Sequence, residues 1–188
     1  MSASTHDIKR NAFMLDGKFA KKGYDWWWHS FTAINRTTKE EKPFFIEFFT
    51  MNPALAKEEP ILGQLKQGLP SYVMVKGGCW KDTPTQLHRF YSYKDVTIDK
   101  GVPFKVDAGD CYLDETYTKG VISISEEEAK NHPEWMCDSG SMKWELKIKK
   151  LIPFNVGYGA SSFFRKIKAF EMYWHAEGMK STFEGTIE

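Results

Sequence analysis

Met142-Lys143-Trp144-Glu145-Leu146-Lys147-Ile148-Lys149 alternates without a break: Met142, Trp144, Leu146 and Ile148 fall on one side, Lys143, Glu145, Lys147 and Lys149 on the other. A strand sends successive side chains to opposite faces, so this stretch describes a β-strand with one dry and one wet face. Outward from it, period-two runs recur at 24–34, 44–51, 71–80, 88–98, 111–118, 121–125, 141–152 and 170–176. Turn-forming residues punctuate them, as in Asn35-Arg36-Thr37-Thr38, Lys100-Gly101-Val102-Pro103 and Asp107-Ala108-Gly109-Asp110. Helical signal is scarce. Ser125 before Glu126, Glu127 and Glu128 is an N-cap with acids in the first turn, ending before Pro133, and 53–67 has room for a second short helix. The pattern predicts a mainly β, antiparallel sandwich or barrel over 23–176, after a polar lead-in at 1–22.

Composition narrows the function classes. The 188 residues carry 26 Lys+Arg against 25 Asp+Glu, a balance that argues against a general nucleic-acid binder. Aromatic residues make up 15% of the chain, with 14 Phe, 8 Tyr and 7 Trp, so apolar material is concentrated in large rings suited to strands and pockets. No run of 18 apolar residues is present, so no transmembrane helix is predicted, and the polar start lacks the apolar core of a secretory signal. Cys79, Cys111 and Cys137 are odd in number and widely spaced. They form neither a disulfide framework nor a metal pair, and a cytoplasmic protein with reduced thiols is expected. Residues 182–188 read as a strand in progress, which suggests a piece of a longer protein.

Three strands depart from the wet-and-dry pattern. In 24–31, Tyr24, Trp26 and Trp28 oppose Asp25, Trp27, His29 and Phe31. In 44–49, Phe44, Ile46 and Phe48 oppose Phe45, Glu47 and Phe49. In 170–177, Phe170, Met172 and Trp174 oppose Glu171, Tyr173, His175 and Glu177. Each has one apolar face and one that mixes rings with a carboxylate or imidazole. Solvent faces seldom carry so many rings, and dry cores seldom accept unpaired acids. An aromatic-lined cavity holding a few titratable groups satisfies both constraints. The plainer alternatives are acids paired with Lys or Arg, and rings that are ordinary core.

At these strands the chain resembles the tocopherol cyclase family, whose relatives include lipocalin-like carotenoid hydratases. Tyr24-Asp25-Trp26-Trp27-Trp28 is similar to the family's opening aromatic–acid–x–Trp–aromatic strand, and Asn52-Pro53-Ala54 to the Asn-Pro-Ala that follows. Ser141-Met142-Lys143-Trp144-Glu145, Gly157-Tyr158-Gly159 and Phe170-Glu171-Met172-Tyr173-Trp174 match later motifs in order. Asp25, Trp26 and Tyr173 stand where plant members carry Glu, Gly and His. The resemblance implies two lipocalin-like barrels side by side. This chain would be the first barrel, residues 177–188 would begin the junction, and a second barrel of the full-length chain would cover its apolar outer faces.

The family chemistry is acid-initiated addition of an oxygen nucleophile across an isoprenoid alkene. It needs a carboxyl kept protonated by burial and π-faces for the carbocation, each worth about 2 kcal/mol when desolvated. Glu171 leads the acid candidates, followed by Asp25 and Glu47. His29 and His175 are the candidate proton relays, and Trp27, Phe45, Phe49 and Tyr173 the substrate-lining rings. His29, Glu47, His175 and Glu177 could be arranged as metal ligands, with His175 and Glu177 on one strand face, but no second His-x-His pair accompanies them, so no metal is expected, and no cofactor is called for. Lys143, Lys147, Lys149 and Lys150, and the basic residues Arg165, Lys166 and Lys168, read as solvated faces. Three functions follow: a cyclase or hydratase acting on a hydrophobic substrate, a non-catalytic carrier of a hydrophobic small molecule, or a scaffold for chemistry elsewhere in a longer chain.

Overall fold

The computed structural model describes residues 12–56, 58–63, 68–101, 103–154 and 176–188. Among these residues ten strands, β1 (Tyr24–Ile34), β2 (Glu41–Met51), β3 (Tyr72–Cys79), β4 (Thr85–Tyr91), β5 (Val96–Asp99), β6 (Lys105–Ala108), β7 (Cys111–Asp114), β8 (Tyr117–Ile124), β9 (Gly140–Phe154) and β10 (Ala176–Ile187), accompany one α-helix, α1 (Glu126–Asn131). They form two antiparallel meanders, β1-β2-β3-β4 and β10-β9-β8-β7-β6-β5. One buried cluster draws on both sheets, which places them face to face.

The mainly β expectation holds; the closed lipocalin-like barrel is corrected to two open sheets among the described residues. The ladder breaks between β4 and β5, where the expected single strand 88–98 divides at a 3-10 turn, Tyr93–Asp95. Ser92 Oγ donates to Asp95 Oδ2 at 2.9 Å. The Tyr93 hydroxyl accepts from the Met51 N–H at 3.0 Å and lies 3.0 Å from the Met51 carbonyl oxygen. The chain is thus pinned at the end of β2 while it changes sheets. The expected strand 111–118 also divides. Asp114 Oδ1 accepts from the N–H groups of Thr116 at 2.7 Å and Tyr117 at 2.8 Å, an Asx turn that folds β7 back onto β8. Of the second helix expected within 53–67, residues 57 and 64–67 lie outside the described residues; among the described ones 53–55 is a turn, and Ile61 bridges Ser71 through two backbone hydrogen bonds of 2.8 and 2.7 Å.

The interior carries the apolar phase of both sheets. Ile46, Phe48, Val73, Val75 and Leu87 come from the first, and Val106, Leu113, Ile122, Met142, Trp144 and Leu146 from the second. Full burial of such a side chain stabilises by about 1.5–3 kcal/mol. Trp144 lies flat on β8: a Cβ at Gly120 would sit 2.3 Å from its ring, and its indole N–H donates to the buried Thr118 Oγ1 at 3.0 Å. The lead-in contributes more than its polarity suggests, because Phe13 and Leu15 are buried and Phe13 stacks on Trp27 at 6.3 Å. At the far side, β10 pairs with β9, and its Phe183 ring meets Phe31 of β1 at 4.4 Å.

Candidate functional site: a ring-lined sheet face

Strand register assigns the sequence-predicted residues to their faces. Across the four-stranded sheet, Trp28 pairs with Glu47, Glu47 with Lys76, and Lys76 with His88. One flanking row on this face is Trp26, Phe49, Met74 and Phe90; the other is Ser30, Phe45, Gly78 and Gln86. Asp25, Trp27, His29 and Phe31 belong to the alternate phase of β1, opposite Thr50, Phe48, Ile46 and Phe44. Phe45, Glu47 and Phe49 are therefore brought together on the outer face, while Asp25, Trp27 and His29 point into the space between the sheets. The expectation that Asp25 and Glu47 face one hollow is corrected, because the sheet lies between them. Glu171, Tyr173 and His175, and the Gly157-Tyr158-Gly159 motif, lie outside the described residues.

On the outer face, three rings stack. Phe45 lies 5.3 Å from Trp28 with planes 3° apart, and 4.9 Å from Trp80. Phe45 is only 2% exposed, whereas Trp28 and Trp80 are 41% and 46% exposed. A glycine is needed beneath the stack: a Cβ at Gly78 would come within 2.1 Å of the Thr85 carbonyl oxygen and 2.7 Å of the Phe45 ring. Lys76 Nζ sits 5.8 Å from the Trp28 ring centroid and 5.6 Å from that of Phe45, within cation–π range. It also lies 3.7 Å from Glu47 Oε2. Glu47 is 9% exposed, and desolvation raises its pKa, opposed by the Lys76 charge.

His88 closes this polar row. It is 6% exposed, and its Nδ1 lies 2.8 Å from the Trp135 carbonyl oxygen. A carbonyl only accepts, so Nδ1 carries the hydrogen and Nε2 is left as a lone-pair acceptor. Nε2 is buried without a hydrogen-bond partner. Burial lowers the His88 pKa, opposed by the hydrogen bond to the Trp135 carbonyl, and the net shift is downward from 6.5, which favours the neutral imidazole at pH 7.

The β8–β9 connection borders the face along β4. Its helix α1 begins with a capping box, in which Ser125 Oγ accepts from the Glu128 N–H at 3.1 Å and Glu128 Oε2 accepts from the Ser125 N–H at 2.9 Å. Arg89 of β4 pairs with Glu128 at 3.0 Å, and Asp138 bonds Gln86 of β4 through two 2.8 Å contacts. Trp135, stacked on His132 at 4.3 Å, approaches Phe90 at 6.1 Å.

The inner-face candidates have structural surroundings. Trp27 is buried and stacks on Phe104 at 4.9 Å. Asp25 Oδ2 accepts from the Met14 N–H at 2.8 Å, which fastens the lead-in to β1. His29 has a buried Nδ1 without a hydrogen-bond partner; desolvation, then the Lys150 charge, lowers its pKa to about 4. Lys150 itself pairs with the buried Glu115 at 2.7 Å. Two motifs of the family resemblance also have structural roles. Asn52, at φ 46°, accepts from the Gly23 N–H at 2.7 Å, donates to the Pro70 carbonyl at 2.5 Å and accepts from Ser71 Oγ at 2.6 Å. Glu145 accepts from the Tyr117 hydroxyl at 2.9 Å on the outside of the second sheet.

Sequence reasoning missed Trp28, Lys76, Trp80 and His88. Trp28 reads as part of an apolar face, and Lys76 and His88 look like isolated polar residues until pairing aligns them with Glu47. Elsewhere, a cleft of about 900 Å³ opens on the outside of the second sheet, lined by Asp107, Tyr112, Asp114, Tyr117, Lys119 and Glu145 among others. No group of three or more His, Cys, Asp or Glu able to hold a metal occurs among the described residues, and no described helix is long and apolar enough to cross a membrane.

The class of protein defined here is an antiparallel two-sheet fold with a ring-lined outer face crossed by a shielded polar row. No family model, curated protein or solved structure matches the chain.

Proposed function

We propose that the chain binds a hydrophobic, ring-bearing small molecule on the outer face of the four-stranded sheet, as a non-catalytic carrier. The observation that carries this reading is the Trp28–Phe45–Trp80 stack, whose outer rings stay open to solvent above a buried, ion-paired Glu47. Exposed flat rings beside one polar row are a common way of orienting an apolar ligand. Titration with a prenylated quinol tests it. Trp28→Ala and Trp80→Ala should each weaken binding about fivefold or more, and unchanged affinity in both variants removes this face as the site.

A second reading follows the family resemblance: acid-initiated cyclisation or hydration of an isoprenoid alkene. The raised pKa of Glu47 among rings favours it. In that chemistry Glu47 gives its proton to the alkene, a phenol or water oxygen captures the tertiary cation, and the oxygen's proton returns to the carboxylate. Chromanol or alcohol product from the titrated quinol would establish turnover. Glu47→Gln would then abolish it while leaving binding intact, and absence of product leaves the carrier.

A further inference from the structure

We infer that the ring-lined face selects a neutral aromatic ligand bearing one N–H or O–H donor, and that it holds this donor at His88 Nε2. The inference rests on the binding reading above and names what that face would discriminate. His88 is an end member of the Trp28–Glu47–Lys76–His88 row, so its ring belongs to the same side of the sheet as the stack. Its Nδ1 hydrogen is committed to the Trp135 carbonyl at 2.8 Å. Its Nε2 lone pair is buried and meets no donor.

Lys76 is the nearest cationic residue in register. Its ammonium is held toward β1 and β2, 3.7 Å from Glu47 and above the Trp28 and Phe45 rings. Around the unmet acceptor stand further rings: Phe90, edge-on to His88 at 6.3 Å, and Trp135, 6.1 Å from Phe90. An orphaned buried acceptor is costly, and a ligand that supplies a hydrogen relieves that cost. A pure hydrocarbon leaves the lone pair unmet. A carboxylate, which only accepts, faces both that lone pair and the Glu47 carboxylate. A flat ring carrying a single donor meets the Phe90 and Trp135 rings and the acceptor together.

Indole and 1-methylindole differ chiefly in the donor hydrogen, so they are the probes. Calorimetric titration of the full chain should show indole binding about five- to tenfold tighter than 1-methylindole. His88→Phe should bring the two affinities within about twofold by weakening indole alone. Should His88→Phe fail to fold, nitrogen NMR of the unaltered chain decides: the His88 Nε2 resonance shifts with indole and stays in place with 1-methylindole. Equal affinities for the two probes, or an Nε2 resonance indifferent to indole, overturn the role of His88. If Trp28→Ala still weakens binding of the prenylated quinol, the binding face survives that result. If neither indole probe nor the prenylated quinol binds at millimolar concentration, the binding reading fails and takes this inference with it.

Discussion

Replacing Lys76 by Met keeps the length of the side chain and removes the charge facing Glu47. Two unit charges about 4 Å apart attract by about 4 kcal/mol at the effective dielectric of partly buried pairs. The observed separation is 3.7 Å, with both side chains largely shielded. Part of that attraction offsets the desolvation of Glu47, so its loss leaves a carboxylate among rings with little compensation. We expect Lys76→Met to destabilise the fold by about 2–3 kcal/mol at pH 7, somewhat below the range for fully buried pairs broken on one side. The pH dependence has a definite sign. Burial already holds the folded pKa of Glu47 above its ordinary value of 4.5, and loss of Lys76 raises it further. A carboxyl whose folded pKa exceeds its unfolded one destabilises the fold above the folded pKa, and the penalty fades as pH falls through that value toward the unfolded one. Urea unfolding from pH 4 to 8 should therefore show the variant's deficit shrinking toward pH 4. The double variant Lys76→Met/Glu47→Gln should recover most of the loss at pH 7, because no charge then remains to be buried. A deficit independent of pH, or one that Glu47→Gln does not relieve, would refute the electrostatic account of this row.

Other expectations follow from the same contacts. Acidification should cost stability between about pH 6.5 and 4, because unfolded His29 takes up a proton that the folded imidazole, at about 4, refuses. His29→Leu should flatten that slope by on the order of 2 kcal/mol over the window, read by thermal unfolding. Asn52→Ala removes two side-chain hydrogen bonds and puts a Cβ-only residue at φ 46°; about 2–3 kcal/mol should be lost, measured by urea midpoint. Ser125→Ala breaks the capping box of α1 and should cost about 1 kcal/mol. The Glu128 pKa, held at about 2 first by the Ser125 N–H, should move up toward 4.5 in any variant that frays this turn, visible by carboxyl NMR titration. Gly78→Ala should expel the Phe45 ring from its stack and quench probe binding more than Trp28→Ala does, since the new Cβ strikes backbone as well as ring.

Much of the fold was legible because it is local. Alternation in 142–149 is β9, and its apolar phase is the core phase. The Ser125 cap and its three acids are α1. The failures are also physical. The divided strands 88–98 and 111–118 hinge on Tyr93 reaching back to Met51 and on Asp114 capping its own turn; the first is a contact between residues 42 apart that no window of sequence contains. The strand pattern left sandwich and barrel open and the family resemblance implied a barrel, yet among the described residues the chain leaves one ladder at Tyr93–Asp95 and begins another.

The candidate site divides along the same line. Composition and alternation alone determined that Glu47 shares a face with Phe45 and Phe49, and that Asp25 shares one with Trp27 and His29. They were silent on which of these faces meet. A shift of one residue in strand pairing turns every side chain to the opposite side, so only tertiary pairing decided that Trp28, rather than Trp27, stands across from Glu47, with Lys76 and His88 beyond it. Periodicity is a property of one strand, whereas a face is assembled by four, through backbone hydrogen bonds between residues distant in the chain.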